Sequence, residues 1–326
     1  MWSLGLAVIV ALGLCVGPRA AAAQTPPKTY RVGVLASSPE TNFGPSVKVF
    51  REALRAAGWV EGQNLVLAIR YPSSYAQLQQ LATELVSLKV DVIASLGTPA
   101  TQAAREATTT IPIVMESLSD VVASGLVPSL ARPGGNVTGV SGFSPELSGK
   151  RLELLREILP QAVRIAVLAN RSNPATAPVL RATESSAQQM RMKLSITDVR
   201  RRTELTPAFE AMRRERADAL VIVADPIIFT ERPLIVQLAA KHKLPAIYEF
   251  RTFADAGGFL SYGPRSQERF QRMAAYVDRI LRGANPGDLP IERPTTFELV
   301  VNLKTAQALG LTIPQSVLVR ADEIIR

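Results

Sequence analysis

The chain opens the same way twice. "RVGVLAS" at Arg31 to Ser37 and "RIAVLAN" at Arg164 to Asn170 are apolar runs of strand length that stop at a small polar residue. The echo continues downstream, where "VDVIASLGTPAT" at Val90 to Thr101 is matched by "ADALVIVADPII" at Ala217 to Ile228. In each case an apolar run ends in a small or acidic residue, and the proline beyond it is suited to the first turn of a helix. A strand that is apolar without alternation must be covered on both faces, which a parallel sheet between helices achieves. The sequence therefore encodes two similar layered units.

The intervening segments agree. Short β-rich runs ("LVLAIRY", "IPIVME", "VTGVSGF", "LSITDV", "PAIYEF", "GFLSYG") alternate with helical patterns such as Leu78 to Leu88, where Leu78, Leu81 and Leu85 share a stripe. This order predicts an α/β fold of two doubly wound, Rossmann-like parallel-sheet lobes. At 326 residues and 47% hydrophobic, the chain can fill two cores. Glycine- and proline-rich stretches at Ala131 to Ser144, Ala254 to Pro264 and Gly283 to Pro294 mark three passages between the lobes, a three-strand hinge. The expected division is 28–140 plus 258–290 for lobe 1 and 141–257 plus 291–326 for lobe 2. A hinge implies closure over something held between the lobes.

Met1 to Val16 is almost wholly apolar, and "PRAAAAQTPP" follows, with Ala21-Ala22-Ala23 as a small-residue cleavage site. That pattern resembles a secretory signal peptide over 1–23, cleaved after Ala23, and predicts a periplasmic protein. The apolar run falls short of the roughly 20 residues that span a bilayer. The single cysteine, Cys15, lies inside this segment, so the mature chain is expected to have neither disulfides nor thiol catalysis.

Several classes are disfavoured by what the sequence lacks. The formal charge is +9, but the basic residues are scattered, with no localised patch or motif for nucleic acid. His242 is the only histidine, so no metal set can form around histidine and cysteine. There is no phosphate loop and no dinucleotide fingerprint, and "GVSGF" lacks the spacing of a nucleophile elbow. The expectation is a protein with no cofactor, no metal and no catalytic residues.

In open parallel sheets, ligands bind beyond the carboxyl ends of the strands, where helix N-termini offer unpaired N–H groups. Those ends carry Ser37, Ser38, Gly97, Thr98, Glu116 and Ser117 in the first lobe and Asn170, Asp225 and Glu249 in the second. Hydroxyls and backbone donors on one side and carboxylates chiefly on the other suit a small zwitterion. Its carboxylate would meet lobe 1, and its ammonium Asp225 or Glu249. Phe143, Tyr248 and Phe250 are placed to line an apolar pocket or to join the core.

Two long stretches carry a resemblance: "SLARPGGNVTGVSGFSPELSGKRLELLREILP" at Ser129 to Pro160 and "TFELVVNLKTAQALGLTIPQSVLVRADEII" at Thr296 to Ile325. With weaker matches at "GTPAT" and "GGFLSYGP", they resemble the tryptophan/tyrosine-type substrate-binding proteins of ABC transporters. The resemblance implies a type I periplasmic binding fold and a small polar solute, an amino acid or related organic acid or amide, bound between the lobes. It also implies a monomer that delivers the solute to inner-membrane permease subunits driven by a separate ATPase. Two other readings share the architecture: a sensory binding protein feeding a receptor, and a two-lobed enzyme such as a glycosyltransferase.

Overall fold

A computed structural model describes residues 28–117, 120–142 and 145–326. The expected signal peptide, Cys15 and Phe143 lie outside the described residues. The first sheet is built from β1 (Tyr30–Ala36), β2 (Leu65–Arg70), β3 (Val92–Leu96), β4 (Ile113–Ser117) and β5 (Val137–Ser141), interleaved with α1 (Glu40–Ala56), α2 (Leu78–Ser87) and α3 (Thr98–Ala107). Its order is β2-β1-β3-β4-β5, all parallel.

The chain then passes to the second lobe. There α4 (Pro145–Ile158), β6 (Arg164–Ala169), α5 (Thr176–Gln189), β7 (Lys193–Asp198), α6 (Leu205–Arg214), β8 (Ala219–Ile222), α7 (Pro226–Thr230), α8 (Arg232–Lys241), β9 (Ala246–Tyr248), α9 (Arg251–Asp255) and β10 (Leu260–Pro264) follow one another. Helix α10 (Ser266–Leu281) returns to the first lobe and packs on α1. The tail, β11 (Phe297–Asn302), α11 (Leu303–Ala308), α12 (Gln315–Arg320) and β12 (Glu323–Ile325), completes a second sheet of order β12-β11-β10-β9-β8-β6-β7.

The two sheets explain the repeated strand. β1 lies between β2 and β3, and β6 lies between β7 and β8, so the two strands hold equivalent positions. Their side chains divide alike between two faces. Val32, Val34 and Ala36 of β1 join the core beneath α1 and α10, whereas Leu35 joins the core beneath α2 and α3. Likewise Ile165, Val167 and Ala169 of β6 face one helical layer, and Ala166 and Leu168 the other. Both faces being covered, every second position must also be apolar.

Two details correct the sequence reading. The second passage was placed before Gly258, but β10 stays in the second sheet, parallel to β9 and antiparallel to β11, and the chain crosses at Arg265. The glycines of "GGFLSYGP" serve close strand approach there: a Cβ on Gly263 would collide with the Glu249 carbonyl oxygen. The second sheet is also not wholly parallel, since β11 runs against β10. At the first passage, Ser141 N–H donates to Glu292 O at 2.9 Å and Glu292 N–H to Gly139 O at 3.1 Å, so two connecting segments run side by side.

Candidate functional site

In both sheets the strand order reverses beside the repeated strand, between β1 and β3 and between β6 and β8. Connections leave in opposite directions at such a point and open a crevice. The two crevices face each other across a cavity with about 670 Å³ of atom-free space, part of it open to solvent.

Ser38, Gly97, Thr98, Glu116 and Asp225 line this cavity. Gly97 ends the β3 loop with φ +92°, and a Cβ there would sit 3.2 Å from the Ser37 Cβ and nearer still to its hydroxyl. Only glycine lets the start of α3 approach Ser37 this closely. Four other predicted residues do not line the cavity. Ser37 Oγ donates to Leu96 O at 2.6 Å and accepts from Ala100 N–H at 3.2 Å, tying β1 to β3 and α3. Ser117 Oγ lies 2.7 Å from Thr98 Oγ1. Asn170 donates to Asp225 at 3.1 Å and supports it from behind. Glu249 is turned toward Arg151, 3.5 Å away, both side chains buried. Tyr248 belongs to the core, stacked on Phe253 at 4.7 Å.

The cavity also holds residues that the strand-end rule misses. Phe43 comes from α1, Phe229 from α7, and Phe270 and Arg269 from α10; Phe250, which the sequence places at a pocket or in the core, joins them from the turn after β9. Only 6% of the chain is aromatic, yet four phenylalanines converge here. Phe229 and Phe250 meet edge to face, with ring centres 5.7 Å apart. Arg269 is 4% exposed and lies 5.5 Å from the Phe250 ring and 5.7 Å from that of Phe270. Burial pulls its pKa down to about 10, so it remains a cation at neutral pH. It forms an ion pair with Glu116, which is 2% exposed.

Asp225 is the hub of the opposite wall. Its Oδ1 accepts from Ile227 N–H at 2.8 Å and Ile228 N–H at 3.3 Å, capping α7. Its Oδ2 accepts from Asn170, from Asn173 at 2.9 Å and from the Tyr75 hydroxyl at 3.0 Å. Burial raises the pKa of Asp225, and the three side-chain donors work against that rise. Tyr75 belongs to lobe 1, so its bond spans the cleft. Its own pKa is pushed up by burial first and then by the carboxylate it faces. A second bridge runs from Asn42 on α1 to Thr230 on α7. The lobes are held closed.

Tyr75→Phe keeps the ring and removes the bridge. A hydrogen bond to a charged group contributes about 1.5–3 kcal/mol, and here that contribution exists only in the closed state. Ligand affinity is expected to fall about tenfold or more, with the melting temperature of the unliganded lobes little changed. Calorimetric titration alongside small-angle scattering checks this, and unchanged affinity would remove the latch role.

A sequence profile described as "ABC transporter substrate binding protein" matches residues 27–325. The chain belongs to this family. This substrate-binding protein is 27% identical to the "Tyrosine-binding protein" of Clostridioides difficile (strain R20291) over 87% of its own length and 82% of the relative's. It is similar to the Streptococcus pneumonia ABC domain solved with L-Trp, at TM-score 0.86 and 25% identity, covering 91% of this chain and all of that one. Against a ligand-free, open substrate-binding protein with adhesive properties from Clostridium difficile, the TM-score is 0.68, again at 25% identity, with 91% and 99% covered. The higher score goes to the liganded neighbour, in keeping with the two bridges across the cleft. The fold is that of type I periplasmic binding proteins. Binding a small ligand is the function of this substrate-binding protein.

Proposed function

We propose that this substrate-binding protein captures an aromatic amino acid. The observation that carries this reading is the pairing, in one closed cavity, of four phenylalanines with one buried cation and two buried carboxylates. An aromatic side chain is accommodated by edge-to-face contacts with Phe229 and Phe250. The charges select the head group. The buried cation offers a partner to a carboxylate and the buried carboxylates offer one to an ammonium, which suits a ligand that carries both. The resemblance to proteins named for tyrosine and solved with L-Trp supports the same class.

Under this reading the protein is exported and holds its ligand without converting it. As a monomer it presents the closed form to permease subunits driven by a separate ATPase. Among the described residues no helix is long and apolar enough to cross a membrane, and no group of histidine, cysteine, aspartate and glutamate could hold a metal. His242 stacks on Phe209 and does not line the cavity. Closure is a population shift: a ligand touching both walls satisfies them together only in the closed state.

The test is thermal unfolding with tryptophan, tyrosine, phenylalanine, leucine and 4-hydroxybenzoate. At 100 times its Kd a ligand adds about 2.7 kcal/mol, a rise of several degrees. Aromatic amino acids are expected to give that rise, leucine less and 4-hydroxybenzoate none. A response to 4-hydroxybenzoate alone would replace the zwitterion with an aromatic acid.

A further inference from the structure

The Arg269–Glu116 pair is incomplete. Both residues sit in lobe 1, Glu116 near the end of β4 and Arg269 in the first turn of α10, and both line the cavity. They are in ion-pair contact through Arg269 Nη1 and Glu116 Oε1, a pairing without hydrogen-bond geometry, and Arg269 Nε has no hydrogen-bond partner among the described residues. Among the described residues the guanidinium makes one hydrogen bond, from Nη2 to Ser266 Oγ at 3.3 Å. Buried polar groups are ordinarily satisfied, and an unsatisfied charged one calls for an explanation. Asp225, by contrast, already accepts five hydrogen bonds through its two oxygens.

From this we infer that Arg269 and Glu116 form the socket for the ligand's head group, the carboxylate taking the free guanidinium N–H groups and the ammonium taking Glu116 Oε1. The inference rests on the aromatic amino acid reading and assigns its atoms. It also sets the order of events. Because both partners belong to lobe 1, the head group docks on the open protein without help from lobe 2. Closure then brings Phe250 over the guanidinium and Phe229 over the side chain, while Asp225 secures the latch with Tyr75. The strand-end expectation is thereby altered: Asp225 positions the closed state, and Glu116 receives the ammonium.

Three ligands separate the two halves of the socket: an aromatic amino acid, its decarboxylated amine and its deaminated acid. Each is titrated calorimetrically against wild type, Glu116→Gln and the double variant Arg269→Gln/Glu116→Gln. The double variant removes both charges together, so no unpaired ion is left buried to unfold the protein. Wild type is expected to bind the amino acid at least about 100-fold tighter than either fragment. In Glu116→Gln the amino acid weakens by about that factor, while the deaminated acid is unchanged or tighter. In the double variant all three bind weakly, with melting temperature retained.

Normal amino acid binding by Glu116→Gln overturns the ammonium assignment, and normal binding by the double variant overturns the socket altogether. If wild type prefers the deaminated acid and loses it in the double variant, the zwitterion reading fails and only the Arg269 half stands. If wild type binds none of the three, both readings fall.

Discussion

Replacing Arg151 with methionine is expected to destabilise the protein by about 3–5 kcal/mol, because it strands the buried Glu249 carboxylate. Arg151 is 3% exposed and Glu249 8%. The guanidinium does two things: its Nε donates to Tyr262 O at 2.9 Å, holding α4 against β10, and its Nη2 faces Glu249 Oε1 at 3.5 Å. The second contact is a charge pairing without hydrogen-bond geometry, since Nη2 has no such partner among the described residues. Removing the cation therefore forfeits the bond to Tyr262 O and leaves an anion with no compensating charge. A fall in melting temperature on the order of 10 °C should follow. Adding Glu249→Gln should restore most of it, since a buried pair replaced as a whole is often neutral. Ligand affinity should stay within about twofold in the double variant, because Glu249 does not line the cavity. A loss of affinity at full stability would instead return Glu249 to the ligand, where the sequence placed it.

That contrast shows which parts of the site the sequence displays. The carboxyl-end rule identifies the right loops, and Ser38, Gly97, Thr98, Glu116 and Asp225 all reach the cavity. Ser37, Ser117, Asn170 and Glu249 occupy equivalent strand ends but turn away, because which side of the loop a residue takes depends on tertiary partners such as Leu96, Thr98 and Arg151. Phe250 was named as a pocket candidate, but the rest of the aromatic wall and Arg269 were hidden for another reason. Phe43, Phe229, Phe270 and Arg269 come from α1, α7 and α10, and assigning α10 to lobe 1, as the sequence does, leaves open which of its faces meets the cleft. A signal was nonetheless present: Arg269, Met273, Val277 and Ile280 share one helical stripe, and all are buried. An arginine on an apolar stripe must find an anion. Glu116 is its counterpart, a carboxylate in the fully buried run "IVMES". The fold itself was more legible than the site because it depends on strand periodicity, which the two repeated runs state plainly. The exact point of the second crossing, obscured by the glycines of Gly257 to Gly263, and the reversed direction of β11 were the parts it did not show.

Gly139→Ala is expected to destabilise the protein severely, by about 4 kcal/mol or more. Gly139 has φ +134°, a conformation that L-residues rarely adopt, and it pairs with Met115 in the β4–β5 register. A Cβ there would lie 2.6 Å from Met115 N, 3.0 Å from its carbonyl carbon and closer again to its oxygen. All of these are backbone atoms of a central strand, fixed by neighbours on either side, so the collision cannot be relieved by a rotamer. Edge strand β5 would have to move instead. Such a shift breaks the pairings of Val140 with Glu116 and of Ser141 with Ser117, and with them the bond from Glu292 N–H to Gly139 O at the hinge. Loss of a cooperative unfolding transition, or of soluble protein, is the expected result. The control is Gly135→Ala, four residues upstream, where φ is +63° and a Cβ meets nothing within 4 Å. It bears only the left-handed backbone penalty of about 1–2 kcal/mol and should fold and bind. If the two variants behave alike, backbone conformation and not strand approach explains both. If they differ as expected, the glycine at the first crossing is what lets β5 lie close enough to β4 to hold Glu116 in the cleft.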